Sequence, residues 1–181
     1  MTRDEALQWV QSEIKSVNLV KHILAVEAAC RRFAEHFGED PEFWGMTGLL
    51  HDIDCDATAN SPGLHSKITA KWLKEKEFDE RLIYAVLAHT DSAPLKSKLD
   101  WTLYSVDPTT GLIVAAALMH PSKSLAGLDT DFLMKRYKEK RFAAGARREA
   151  IAACSNLGME LPEFLGLTLE GMRRISNEIG L

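Results

Sequence analysis

Apolar residues recur at steps of three and four along nearly the whole chain, and no segment alternates apolar and polar residues for long enough to build a sheet. That period admits helices and little else, so the expected fold class is all-α. Thr2-x-x-Glu5 has the form of a capping box and opens a first helix carrying Leu7, Val10 and Ile14. Asn18 is the expected cap of a second helix, whose stripe of Ile23, Val26, Cys30, Phe33 and Phe37 stops at Gly38. Asp40-Pro41 starts a third helix, which ends near His51-Asp52, and Ile53 to Gly63 reads as a loop. Further helices are expected from about Leu64 to Lys76, beginning with His65, from Asp79 to His89, and from about Leu99 to Met119. Pro108 follows Asp107 inside the last of these, and its missing backbone hydrogen bond predicts a kink or break there. Three more helical stretches are expected near 129–139, 142–157 and 161–178.

A length of 181 residues, 46% hydrophobic and 27% charged, fits one soluble domain spanning 1–181, with a sizeable core. The helices over 129–178 read as accessory to that core, covering a pocket or forming a homodimer surface. A net charge of −4 provides no basic field, so nucleic acid is not an expected partner; no membrane is expected either, for want of an apolar stretch to enter one. Three cysteines, Cys30, Cys55 and Cys154, lack C-x-x-C spacing, which excludes a disulfide framework and a zinc ribbon. Cys55 lies close enough to His51-Asp52 to reach a shared ion, although a small half-buried residue is the simpler reading. The first residues have no apolar h-region and no apolar stretch approaches 18 residues, so the expected location is cytoplasmic.

Six side chains that favour metals stand against this background: His22, His51, Asp52, His65, His89 and Asp107. Five of the six follow or sit within apolar helical runs, where an unpaired polar group is expensive. Several such groups at once call for a shared partner, and a divalent cation is the most economical one. Imidazole and carboxylate together suit Mn, Fe, Ni, Co or Zn, with Mg possible, and one or two such ions can activate water.

The order His22, His51-Asp52, Asp107 resembles the HD superfamily of metal-dependent phosphohydrolases, whose pattern is H…HD…D on a helical bundle with ligands on separate helices. Leu49-Leu50 before the pair, Asp107-x-x-Thr110-Gly111 and Lys21-His22-x-x-x-Val26 carry the same likeness, which covers roughly residues 15–120. The resemblance implies that His22, His51, Asp52 and Asp107 bind a first metal. It implies also that His65 and His89, completing H…HD…H…H…D, bind a second metal or the substrate. A histidine at a helix terminus bonded to free backbone groups is the structural alternative for each of those two. The likeness is to small bacterial members acting on nucleotides, and it implies hydrolysis of a small phosphorylated substrate by a metal-activated water, with Asp52 orienting or deprotonating that water. Two other activities share the ligand set: a di-iron oxygenase and a non-catalytic ligand-binding protein. Where many members carry Gly then Lys after His-Asp, this chain reads Ile53-Asp54-Cys55-Asp56, and these carboxylates could add ligands or repel a polyanion.

Other signals carry less. Lys67 could reach a phosphate oxygen, with a solvated surface lysine as the alternative. His36 and His120 read as helix-end residues outside the set. Lys135, Arg136, Lys138, Lys140, Arg141, Arg147 and Arg148 are interspersed with acids and read as a charged solvent face. A minority reading lets one of these cations reach over the metal cleft to hold phosphate. Trp9, Trp44, Trp72 and Trp101 read as core.

Overall fold

Side-chain caps set where most of the helices begin. The computed structural model describes residues 1–181, all-α and without a strand. In chain order the helices are α1 (Arg3–Glu13), α2 (Val17–Phe37), α3 (Pro41–Leu50), α4 (Cys55–Thr58), α5 (Lys67–Glu75) and α6 (Glu80–Ala88). They continue with α7 (Lys98–Met119), α8 (Thr130–Lys138), α9 (Arg148–Ala152), α10 (Leu161–Arg173) and α11 (Ser176–Ile179). The Thr2–Glu5 capping box forms as expected, with Glu5 accepting from the Thr2 amide at 2.7 Å and the Thr2 hydroxyl accepting from the Glu5 amide at 3.3 Å. Ser97 and Asp100 make a second box at the start of α7.

Several boundaries differ from the sequence-based expectation. Ser16, not Asn18, caps α2, its hydroxyl accepting from the Leu19 amide. The stretch 53–63 is not wholly loop, since α4 and the start of a 3-10 turn over Pro62–Leu64 fall within it. His65 lies outside any helix, in the linker before α5, and the following Ser66 takes a left-handed φ of 67°. A kink or break at Asp107-Pro108 was expected, but α7 runs without interruption from Lys98 to Met119. Burial along its whole length, from Leu99 through Val106, Pro108 and Ile113 to Ala117, outweighs one missing rung. Residues 139–147 form a turn-rich strap in place of the helix expected from 142, and α9 begins only at Arg148.

Helix α2 is the axis of the bundle, with α3 and α10 packed along it and α7 beside it. Glycines allow the two closest crossings. A Cβ on Gly48 of α3 would fall 2.9 Å from the Glu27 Cα, and one on Gly171 of α10 would fall 2.7 Å from the Ala28 carbonyl oxygen. Two apolar clusters result. One joins α2 to α10 and α7 through Phe33, Phe164 and Leu103, and the other links α1, α3, α5, α6 and the end of α7. Glu27, only 2% exposed, is held by Arg3 at 2.6 Å and Arg31 at 3.0 Å, so the buried carboxylate is paired. By length and composition α7 could cross a membrane, yet 56% of its apolar window is buried in the fold, as in a core helix.

Gly171→Ala is expected to destabilise the protein by about 1–3 kcal/mol, because the added methyl meets backbone that cannot step aside. Calorimetry should show a lower melting temperature, by about 2–4 °C per kcal/mol for a chain of this size. An unchanged midpoint would mean that α2 and α10 do not cross this closely.

Candidate metal centre

Four helix segments bring their site residues to one point. His22 comes from the second turn of α2, Asp107 from the middle of α7, His51 from the C-cap of α3 and His89 from the C-cap of α6. Asp52 follows His51 directly, and His65 enters from the linker before α5. The Asp52 carboxylate is the hub. Its Oδ1 lies 3.3 Å from Nε2 of both His65 and His89, and its Oδ2 lies 3.3 Å from Nε2 of His51 and 3.7 Å from that of His22. His22 Nε2 is also 3.1 Å from Asp107 Oδ1. All six residues singled out in the sequence therefore converge.

The other nitrogen of each ring is engaged by a defined partner. His51 Nδ1 lies 2.7 Å from the Gly48 carbonyl and His89 Nδ1 lies 2.5 Å from the Val86 carbonyl. Both carbonyls belong to last turns of helices, where they lack intrahelical donors, so the same device is used twice. The Thr110 hydroxyl donates to the Asp107 carbonyl at 2.9 Å, which leaves its lone pair to accept from His22 Nδ1 at 3.1 Å. His65 Nδ1 donates to Asp54 Oδ1 at 2.8 Å. With Nδ1 carrying the proton in each neutral ring, all four Nε2 atoms present lone pairs to carboxylate oxygens.

Lone pairs facing carboxylates at these distances repel unless a positive charge lies between them. His51 Nε2, His89 Nε2 and Asp52 Oδ1 are buried without any hydrogen-bond partner. His51 is fully buried and His89 only 2% exposed, so water does not relieve them. Protons are one source of the charge. The Asp52 carboxylate facing Nε2 and the Asp54 carboxylate bonded to Nδ1 push the His65 pKa up to about 12. Burial would lower that of His51, but the Asp52 carboxylate outweighs burial and raises it. Burial would raise the Asp52 pKa, and the facing histidines instead hold it well below the usual carboxylate range. A divalent cation would meet the same demand, and three groups have ligand atoms within 4.8 Å of one another: His22, His51 and Asp107; His51, Asp52 and His89; Asp52, Cys55 and His65. The donor set fits such ions.

Asp54 is the residue that the sequence reading placed least well. It is fully buried, accepts from His65 through one oxygen and from the Thr69 amide at 2.9 Å through the other. It orients a histidine instead of adding a ligand or repelling substrate; its position two residues after Asp52 was the available signal. Burial pushes the Cys55 thiol up to about 11. Ser66 bonds Thr90 across a 2.7 Å hydroxyl pair, tying the His65 linker to the end of α6. Lys67 is exposed and its ammonium donates to the Gly63 carbonyl at 2.8 Å. His120 caps α7 beside Ser122, and His36 lies 4.0 Å from Glu163, so neither joins the cluster. Arg148 departs from the expected solvent face and turns onto main-chain carbonyls, while Arg147 stays partly exposed, pairing with Asp91 and reaching the His89 carbonyl.

A family model described as HD domain matches residues 19–120. A Ribonuclease Y from Desulfotalea psychrophila (strain LSv54 / DSM 12343) is 25% identical over 176 residues, covering 88% of this chain and 33% of the relative. Ribonuclease Y from Oleidesulfovibrio alaskensis is 30% identical over 96 residues, covering 53% of this chain and 18% of the relative. One from Nitratidesulfovibrio vulgaris (strain DP4) is 31% identical over the same length with the same coverage. This chain thus spans a third of the length of the first relative and 18% of the other two. No solved structure matches it. The relatives are named for cleaving RNA, which stands against the expectation that nucleic acid is excluded.

Asp54→Ala removes the acceptor of both the His65 ring and the Thr69 amide. Leaving the buried Thr69 amide unpaired is expected to lower stability by about 1–3 kcal/mol, with a smaller loss from the half-buried His65 ring. Urea titration in the presence of chelator would read this directly, and a variant as stable as the parent would show that Asp54 anchors neither.

Proposed function

The chain belongs to the HD-domain family of metal-dependent phosphohydrolases, and from that premise we propose that it hydrolyses a phosphate ester or anhydride of a small metabolite or nucleotide. The observation that carries this reading is the convergence of four Nε2 lone pairs on two carboxylates in a largely buried site. His22, His51, Asp107 and Oδ2 of Asp52 would hold one divalent cation, while His65, His89 and Oδ1 of Asp52 would hold a second. Mn, Fe, Ni, Co and Zn suit this nitrogen-rich set better than Mg, which prefers oxygen ligands and retained water. When bound, such a cation activates water near neutral pH and offsets charge developing on the phosphoryl group.

The chain's own groups do the rest. Asp52, whose two oxygens face the two histidine groups, orients the attacking water. Thr110, Asp54 and the Gly48 and Val86 carbonyls hold the rings in the tautomer that leaves Nε2 free. A cavity of about 360 Å³ opens on the His22–Asp107 edge and is lined also by Pro108, Gly111, Ala143, Gly145 and Ala146. That size suits a small ligand, and no cationic side chain lines it, which favours a small ester over a nucleic-acid strand. The relatives' name supports a second reading, cleavage of an RNA phosphodiester.

Protein stripped with chelator and reloaded with Mn, Fe, Co, Ni, Zn or Mg is expected to hydrolyse aryl phosphates or nucleotides. RNA cleavage without action on small esters would transfer the assignment to the second reading, and inactivity on both with every cation would end it. Asp52→Ala is expected to lose bound metal and turnover together, as read by elemental analysis and phosphate release. His89→Ala is expected to retain one metal with weakened catalysis; wild-type kinetics there would leave His89 a helix-capping residue only.

A further inference from the structure

Ala143, Gly145 and Ala146 of the strap over residues 139–147 line the cavity together with His22 and Asp107, and the strap's backbone is organised by a single side chain. Arg148 donates through Nε to the Tyr137 carbonyl at 2.9 Å. Its Nη1 reaches the Ala143 and Ala146 carbonyls at 3.2 and 2.7 Å, and its Nη2 reaches those of Glu139 and Phe142 at 3.3 and 2.5 Å. Five carbonyls are thereby satisfied by one guanidinium. Three successive amides on the same strap, those of Ala143, Ala144 and Gly145, donate to no protein acceptor. Ala143 is held at a φ of 44°, a conformation that an alanine seldom adopts without compensation. Arg147 fixes the far end. It contacts Asp91 at 3.2 Å, reaches the His89 carbonyl at 3.4 Å and lies over the Tyr104 ring.

Successive free N–H groups with one residue in the left-handed region form a concavity suited to anions. Ala143 and Gly145 line the cavity whose floor carries His22 and Asp107. We infer that the amides of Ala143, Ala144 and Gly145 form a phosphate-oxygen-binding roof over the cleft, with Arg148 as the positioning residue that holds it in shape. The inference rests on the phosphohydrolase reading and names the group of the substrate that the strap grips. Amides recognise phosphate without a cationic side chain, which accounts for a phosphate site whose lining has no Lys or Arg. Asp107 makes the floor anionic, so the roof engages phosphate only when the metal is present.

The test is calorimetric binding of inorganic phosphate to manganese-loaded protein. Gly145→Pro deletes one amide that has no partner within the protein, whereas Gly145→Ala keeps it and adds a methyl that meets nothing within 4 Å. Wild type and Gly145→Ala should bind phosphate alike. Gly145→Pro and Arg148→Lys should bind about tenfold more weakly with manganese content unchanged, the scale of one hydrogen bond to a charged group. Equal affinity in wild type and Gly145→Pro overturns the proposal, as does a wild type with no measurable phosphate affinity. If Gly145→Pro fails to fold, Arg148→Lys decides, and unchanged affinity there is likewise fatal. A wild type that grips phosphate through the strap yet turns over no phosphate ester would sink the hydrolase reading and leave the roof standing. Turnover by Gly145→Pro with the parental KM would do the reverse.

Discussion

The hydrogen bond at Nδ1 of each clustered histidine is the interaction on which the site depends. A free imidazole distributes its proton between two nitrogens and turns about two side-chain bonds. Here a helix-end carbonyl, a threonine hydroxyl or a buried carboxylate accepts the Nδ1–H hydrogen bond, which keeps the proton on Nδ1 and fixes the ring plane at the same time. The result is four lone pairs aimed at two carboxylates in a space closed to solvent on most sides. That arrangement is electrostatically unfavourable by itself and becomes favourable once positive charge is supplied. A cation bound there would therefore add to folding stability.

The scaffold makes the convergence possible by ending two helices at the same depth. Helices α3 and α6 are 10 and 9 residues long, and both deliver a histidine at the first position past the helix. Helices α2 and α7 pass by instead of ending, so they present His22 and Asp107 from their flanks. The Ser66–Thr90 hydroxyl pair then brings the non-helical His65 alongside His89. Strain at Ser66, in the left-handed region, is placed one residue from a proposed ligand.

Much of this was legible in the sequence. Apolar periodicity and caps located most helices, and the order of histidines and aspartates located the cluster, because ligands at helix ends leave adjacent, easily read signals. What escaped was set by tertiary context. Pro108 should interrupt a helix by local rules, but burial on both sides of α7 keeps it continuous. Residues 142–147 have helical composition, yet Arg148 draws their carbonyls to itself and leaves a strap. Asp54 read as an extra ligand or a repulsive charge, since its place two residues after Asp52 marks it as near the cluster without revealing that the His65 ring and the Thr69 amide will close over it. The C-cap roles of His51 and His89 show that a histidine bonded to a helix end and a histidine offered to a cation can be the same residue.

Gly48 joins two tasks that are usually separable. Its lack of a side chain permits α3 to press against the Glu27 backbone, and its carbonyl is the anchor for the His51 ring. Any drift of α3 along α2 therefore re-aims a proposed ligand. A chain built this way has little latitude to exchange rigidity for catalytic tuning at that crossing. Adaptation to a new substrate or temperature would have to be written elsewhere, in the wall of the cleft that α2 and α3 do not touch.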